Sequence, residues 1–330
     1  MKREKVIIVG AGPCGLAAAI RLQEKGVEVR VIEKDNIVSS IFRYPTHQTF
    51  FSTARKLEIG DVPFYSTNQK PKRNEALVYY REVVERKRVS INRYESVQSV
   101  EPFDDGTFHV KTRKQKGEYC EYHADYVIIA TGYYDHPNAL GVAGEELSHV
   151  YHYFKEAHPY QGQQVVVIGG KNSAVDAAME LEKAGARVTV IYRGADYSPK
   201  VKPWILPQFT SLVNNGHIQM IFEANITEIT QDVVRYVTTD DEEHDLPADF
   251  VFAMIGYHPD HAFLEEMGVR MDSTTGRPFY KPDSMETNVK NLFIAGVIAA
   301  GNNANEIFIE TGRHHGDAIA EVIAHREINQ

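Results

Sequence analysis

What most constrains this chain is a strand that runs straight into a glycine turn and on into a helix, and the fact that this happens twice. Residues 5–9, KVIIV, alternate little and are rich in β-branched side chains, as a strand buried on both faces should be. Residues 13–25 then carry apolar side chains at helical spacing, Gly26 stops them, and residues 27–32 make the next strand. The same grammar returns as a strand at 165–168, a helix at 172–183, a stop at Gly185 and a strand at 187–192. Each is a βαβ unit whose turn can face a dinucleotide.

The first turn lies within residues 9–18, VGAGPCGLAA. Gly10 permits the bend, Gly12 lets backbone approach a pyrophosphate, and Gly15 lets the helix that opens at Pro13 pack closely on the sheet. Glu33 ends the following strand, where a carboxylate accepts both hydroxyls of an adenosine ribose. A glycine turn with packing duties alone would leave Glu33 unexplained. The second turn, GGKNSA at 169–174, is followed by Tyr192 and Arg193 where an acidic residue would stand. A ribose carrying a 2′-phosphate repels carboxylate and suits guanidinium, so Arg193 selects NADPH over NADH, with Lys200 and Lys202 as helpers; an exposed strand-end arginine is the competing reading. Lys171 stands where glycine is usual, and costs close backbone approach unless its ammonium replaces that contact. Gly169, Gly170, Asn172 and Ser173 complete the expected NADPH turn. Two units of opposite ribose chemistry imply a resident FAD and a visiting NADPH.

Between the units, residues 97–113 read as a hairpin around Asp105 and Gly106, and a strand at 126–130 ends in Thr131 and Gly132. Strands at 250–255 and 292–295 follow, then a helix from about Asn305 to the end. The last strand and helix lack a nucleotide turn, so they complete the first domain, and the second is inserted into it. The expected division is 1–138 and 262–330 for the FAD domain and 139–261 for the NADPH domain. Residues 39–72 read as loop and helix lying over a cofactor.

Composition narrows the partners. With 330 residues and 43% hydrophobic content the chain can bury a core in each domain, and a net charge of −9 argues against nucleic acid and anionic membrane. The apolar run at 292–300 is too short to span a bilayer, and residues 1–9 show no signal region, so a cytoplasmic enzyme is expected. Cys14 and Cys120 form no CxxC pair, disulfide framework or zinc site. His149, His152 and His158 have no carboxylate or cysteine at ligand spacing, so no metal is expected.

The runs GAGPCG, ATGYY at 130–134, GGKNSA and IAGVIAAG at 294–301 resemble the thioredoxin-reductase-like flavoproteins, over essentially the whole chain. YPTHQTFFS at 44–52, HYFKEAHPY at 152–160, YSPKVKPWILP at 197–207 and AMIGYHPD at 253–260 are similar, more narrowly, to the bacillithiol disulfide reductases. The resemblance implies an α/β fold of two Rossmann-like three-layer nucleotide-binding domains, the NADPH domain inserted into the FAD domain, in a homo-oligomer. It implies NADPH-dependent, FAD-mediated reduction of a small-molecule disulfide, that of bacillithiol. Expected FAD contacts are Gly10, Gly12, Pro13, Cys14, Gly15, Glu33, Lys34, Ile41, His47, Val97, Thr131, Gly132, Gly296, Val297 and Ile307. Two departures matter. The CxxC relay of thioredoxin reductases is missing, and Gly296 and Val297 stand where those enzymes carry Gly-Asp, so backbone N–H groups must compensate for one lost side-chain hydrogen bond.

Cys14 lies where a helix N-terminus would lower a thiol pKa and make a thiolate nucleophile; alternatively it is a small apolar substitute for alanine, and FAD phosphates would raise its pKa instead. In the bacillithiol reductases this turn cysteine is proposed as the active thiol. His47 is either a proton donor at the flavin edge or a loop support. Lys70, Lys72 and Arg73, and separately Arg313, His314 and His315, are either receptors for malate carboxylates or solvated charge. The N–H groups opening the final helix near Ile307 would stabilise charge at the flavin N1 side. Rival readings are a ferredoxin or flavodoxin reductase, a monooxygenase, and a flavin redox sensor without turnover.

Overall fold

A computed structural model describes residues 1–303 and 305–329. The chain divides into two compact units, residues 1–136 with 257–330 and residues 137–256, each crossing lying a few residues before the expected boundary.

The first unit opens with β1 (Lys2–Val9), α1 (Pro13–Glu24) and β2 (Val29–Glu33). A short α2 (Ser39–Arg43), α3 (Arg73–Lys87), β3 (Ile91–Arg93), β4 (Glu95–Pro102), β5 (Phe108–Lys114) and β6 (Tyr119–Ile129) follow. β6 is longer than the five-residue strand expected at 126–130, because within one sheet it pairs with three neighbours. One of its edges lies parallel to β1 from Tyr122 to Ile129. Its other edge pairs antiparallel with β5 over 119–124 and, further on, parallel with a late strand through Val127, Ile128 and Ile129.

The second unit holds a parallel sheet and an antiparallel meander. β7 (Val150–Tyr151), β8 (Gln164–Ile168), α4 (Asn172–Lys183), β9 (Arg187–Ile191), α5 (Leu206–Asn214) and β10 (Ile218–Ile221) precede β11 (Asn225–Ile229), β12 (Val233–Val237) and β13 (Glu243–Pro247), and β14 (Phe250–Ala253) closes the sheet in the order β10-β9-β8-β14-β7. β8 shows why its sequence is apolar throughout. Val165 and Val167 pack with Ala174, Val175 and Ala178 of α4, while Val166 and Ile168 pack on the other face with Ile229 and Val234 of the meander.

The chain then returns to the first unit with α6 (His261–Glu266), β15 (Leu292–Ile294), α7 (Ile309–Gly312) and α8 (His315–Ile328). β15 is the late strand on β6, and α8 lies on α1, where a Cβ on Gly316 would be 2.6 Å from Ala18 Cα. The expected final helix is therefore corrected. It does not start near Asn305; Ile307 precedes a four-residue turn of helix, and the long helix begins only at His315. Two consecutive histidines and a glycine at 314–316 mask this break in a one-dimensional reading. No helix among the described residues is long and apolar enough to cross a membrane.

Candidate dinucleotide sites

In the first unit the three turn glycines have three distinct jobs. Gly10 has φ +106°, and a Cβ there would sit 2.6 Å from the Ala130 carbonyl oxygen. Gly15 lies so close beneath it that a Cβ would be 2.1 Å from Gly10 O. Gly12 differs: nothing lies within 4 Å of the position its Cβ would take, and the same holds at Gly132. Open space at Gly12, at the start of a 12-residue helix with Pro13 at its first turn, is the approach a pyrophosphate needs.

Glu33 is buried at the end of β2, and its carboxylate accepts the N–H of Ala11 at 2.7 Å and that of Asp35 at 2.9 Å. Burial raises its pKa, against the lowering effect of those two hydrogen bonds. The Thr131 hydroxyl is buried with no partner among the described residues, next to the Ala130 carbonyl that Gly10 faces. A carboxylate, an orphaned hydroxyl and an open glycine around one turn fit a flavin dinucleotide.

The other expected contacts spread around this turn. Ile41 is buried on α2, Val97 is half-buried at a register shift in β4, and His47 is half-buried in the loop after α2. Lys34 spends its ammonium on Asp135, at 2.8 Å, and Arg43 pairs with the same carboxylate. Although burial works the other way, Lys34 and Arg43 hold the Asp135 pKa below its usual value. The sequence reading missed Asp135, although it directly follows ATGYY. It also missed an aromatic group in which Tyr134 meets Tyr44 edge-on at 5.2 Å between ring centres and Tyr257 at 4.6 Å. Burial keeps the Tyr44 phenol protonated, and Tyr133, Tyr134 and Cys14 are neighbours whose charge would reinforce this.

Cys14 is half-buried, and its sulfur is wedged between two backbone segments. A Cβ on Gly296 would be 3.0 Å from Cys14 Cβ and Sγ, and one on Gly312 would be 2.9 Å from Sγ. Burial pushes the thiol pKa up to about 12, the reverse of what a helix N-terminus alone would do. Cys120 sits on β6 opposite Thr112, with its sulfur 3.6 Å from the Glu118 carboxylate.

At Gly296 the backbone N–H is not free for a ligand. It is donated to His315 Nδ1 at 3.1 Å, and burial with the nearby His314 lowers the His315 pKa. The 313–315 cluster is likewise no free anion receptor: Arg313 donates to the carbonyls of Arg55 and Glu58, and His314 pairs with Asp317. Arg73 is buried rather than solvated, with its guanidinium on the Phe42 carbonyl and over the Phe42 ring.

In the second unit the first glycine repeats the strain of the first turn. Gly169 has φ +136°, and its Cβ would meet Met254 O at 2.5 Å. Gly170 is glycine for another reason, since a Cβ would fall 2.5 Å from the ring of Tyr192. Lys171 caps α4 with extended backbone and is exposed, as are Ser173, Arg193 and Lys200. Burial of part of its stem, then the charges of Lys200 and Arg193, lower the Lys171 pKa, so these three cations share one field. None of the three has an ion-pair partner among the described residues. That constellation fits the phosphates of a nicotinamide dinucleotide. His149 is buried with neither ring nitrogen bonded, His152 lies 3.5 Å from Glu145, and among the described residues no group of three or more metal-binding side chains gathers.

The model of a family described as pyridine nucleotide-disulphide oxidoreductase matches residues 7–296. Bacilliredoxin reductase Bdr of Bacillus subtilis (strain 168) is 59% identical over 327 residues, 99% of each chain. Among solved structures, bacillithiol disulfide reductase Bdr (YpdA) from Bacillus cereus superposes with a TM-score of 0.97 at 62% identity, covering 98% of this chain and 100% of that one. The Staphylococcus aureus enzyme of the same name gives 0.94 at 52%, covering 99% and 100%.

Proposed function

Because this chain belongs to the pyridine nucleotide-disulphide oxidoreductase family, we propose that it is an NADPH-dependent FAD flavoprotein that reduces the disulfide of bacillithiol. The net reaction is NADPH + H⁺ + RSSR → NADP⁺ + 2 RSH, with the S–S bond broken and the nicotinamide oxidised. FAD, when bound, accepts the hydride equivalent and passes its two electrons on. The observation that carries the cofactor assignment is the contrast between two strand ends: a buried Glu33 carboxylate facing an open glycine turn, and an unpaired Lys171, Arg193 and Lys200 field facing the other. The substrate assignment rests on the names of the relatives, which specify bacillithiol disulfide and bacilliredoxin.

The residues around the first turn bind and orient. Glu33 takes the ribose hydroxyls with the lone pairs left by Ala11 and Asp35, the Thr131 hydroxyl finds its partner in the cofactor, and Asp135 neutralises Lys34 and Arg43. In the resting protein Cys14 is a protonated spacer between Gly296 and Gly312. A relay role would require it to lose that proton before attacking a disulfide sulfur.

Stopped-flow mixing tests both parts. NADPH should reduce the protein-bound flavin much faster than NADH, and bacillithiol disulfide should then reoxidise it. Flavin that bacillithiol disulfide fails to reoxidise, but oxidised bacilliredoxin does, would move the substrate to the protein disulfide. Cys14→Ala, checked first for parental flavin content, should keep both half-reactions if the thiol is only a spacer and lose the second if it is the relay. Iodoacetamide labelling of Cys14 should be slow at pH 7 and climb through pH 10, because only the thiolate reacts.

A further inference from the structure

The first residue of α4, Asn172, spends its whole side chain on a segment far along the chain. Its Nδ2 donates to the Lys200 carbonyl at 2.9 Å, and its Oδ1 accepts the Lys202 N–H at 2.9 Å. The clipped turn is anchored from below. Val201 and Ser198 are buried, the Ser198 hydroxyl accepts the Lys200 N–H at 3.3 Å, and the Val201 N–H donates to the Ser198 carbonyl at 3.0 Å. Lys200 itself is left exposed on the rim, within electrostatic reach of Lys171, which also feels Arg193.

Three unpaired cations held in one field repel one another, and exposed lysines ordinarily swing apart to relieve this. Here the turn that carries one, Lys200, is fixed in place by two hydrogen bonds with Asn172, the residue adjoining Lys171. We propose that Asn172 is a positioning residue for NADPH selectivity: it touches no phosphate, and clips the 198–202 turn to the start of α4 so that Lys200 stands with Arg193 and Lys171 around a 2′-phosphate. This rests on the NADPH reading of Arg193 and adds what holds the second half of that receptor in place.

The test uses the intact flavoprotein and two adenosine ligands that do no chemistry, 2′,5′-ADP and 5′-AMP, titrated calorimetrically. The parent should bind 2′,5′-ADP more tightly than 5′-AMP. Asn172→Ala should weaken 2′,5′-ADP by about fivefold to tenfold, the scale of one exposed charge contact, and leave 5′-AMP unchanged. Lys200→Ala, an exposed change that leaves the fold intact, should cause the same selective loss. The double variant should lose no more than either single one, because the two residues act through one contact. Equal weakening of both ligands by Asn172→Ala, or full 2′,5′-ADP affinity in Lys200→Ala, overturns the proposal. A parent that does not distinguish the two ligands overturns the underlying NADPH reading instead.

Discussion

The two glycine turns are built on one plan and diverge at every position that can touch a ligand. Gly10 and Gly169 carry the same strain, with N–H groups donated to Ile32 and Ile191 at 2.9 Å and Cβ positions blocked by the carbonyls of Ala130 and Met254. Beyond that, open Gly12 corresponds to Lys171, tightly packed Gly15 to Ala174, buried Ala17 to half-buried Asp176, and Glu33 to Tyr192. In one turn a carboxylate receives the Ala11 N–H; in the other an aromatic ring covers Gly170. A turn packed tightly beneath Gly10 and Gly15 and open at Gly12, with a buried acid beside it, suits a cofactor that stays. An exposed, cationic turn suits one that comes and goes, since charge steers arrival and exposed contacts release easily.

The sharpest way to break this comparison is at the third position. Gly15→Ala would drive a methyl to 2.1 Å from Gly10 O, where backbone cannot yield, and should cost about 3 kcal/mol with loss of bound flavin. An Ala variant with parental flavin content and melting temperature would show that the first turn is no tighter than the second. Next in size, Arg193→Ala should reduce the preference for NADPH over NADH in kcat/KM by about 1 to 3 kcal/mol, the range of charge-assisted hydrogen bonds. Equal use of the two nucleotides by the parent would remove Arg193 from the site.

Asp176 sharpens the comparison through pH. Burial, and then Glu180 one turn away, raise its pKa to about 6. The folded protein thus holds this proton more tightly than the unfolded chain, whose Asp titrates near pH 3.9. Stability tied to it is complete below about pH 4 and is lost as pH rises through about 6. Asp176→Asn should therefore melt higher than the parent at pH 7, by on the order of 1 to 2 kcal/mol, and level with it below pH 4. A constant difference across that range would contradict the assignment. The smallest effect belongs to Ala174→Gly, which relieves no clash and should cost only about 1 kcal/mol of helix stability, with nucleotide selectivity intact.

Much of this was legible in the chain because it is local. A strand, a glycine turn, a helix and a strand-end side chain lie within about thirty residues, so their order and polarity determine both βαβ units and the opposite charges of Glu33 and Arg193. The bounds of α4 are those that its periodicity implies, whereas the break before His315 is invisible because the short helix, the histidines and Gly316 all suit a continuous one. The missing CxxC is likewise plain in the sequence.

What only the tertiary structure decided are the meetings between distant segments. Cys14 is packed against Gly296 and Gly312 and burial raises its pKa, the Gly296 N–H is taken by His315, Lys34 is paired with Asp135, and Lys200 is clipped by Asn172. A helix N-terminus predicts a lowered thiol pKa from neighbours in sequence; desolvation by backbone brought from the far end of the chain outweighs it. Local pattern specifies which conformations a segment favours, but burial and charge depend on which other segments pack against it, and that is set by the summed core of the whole unit.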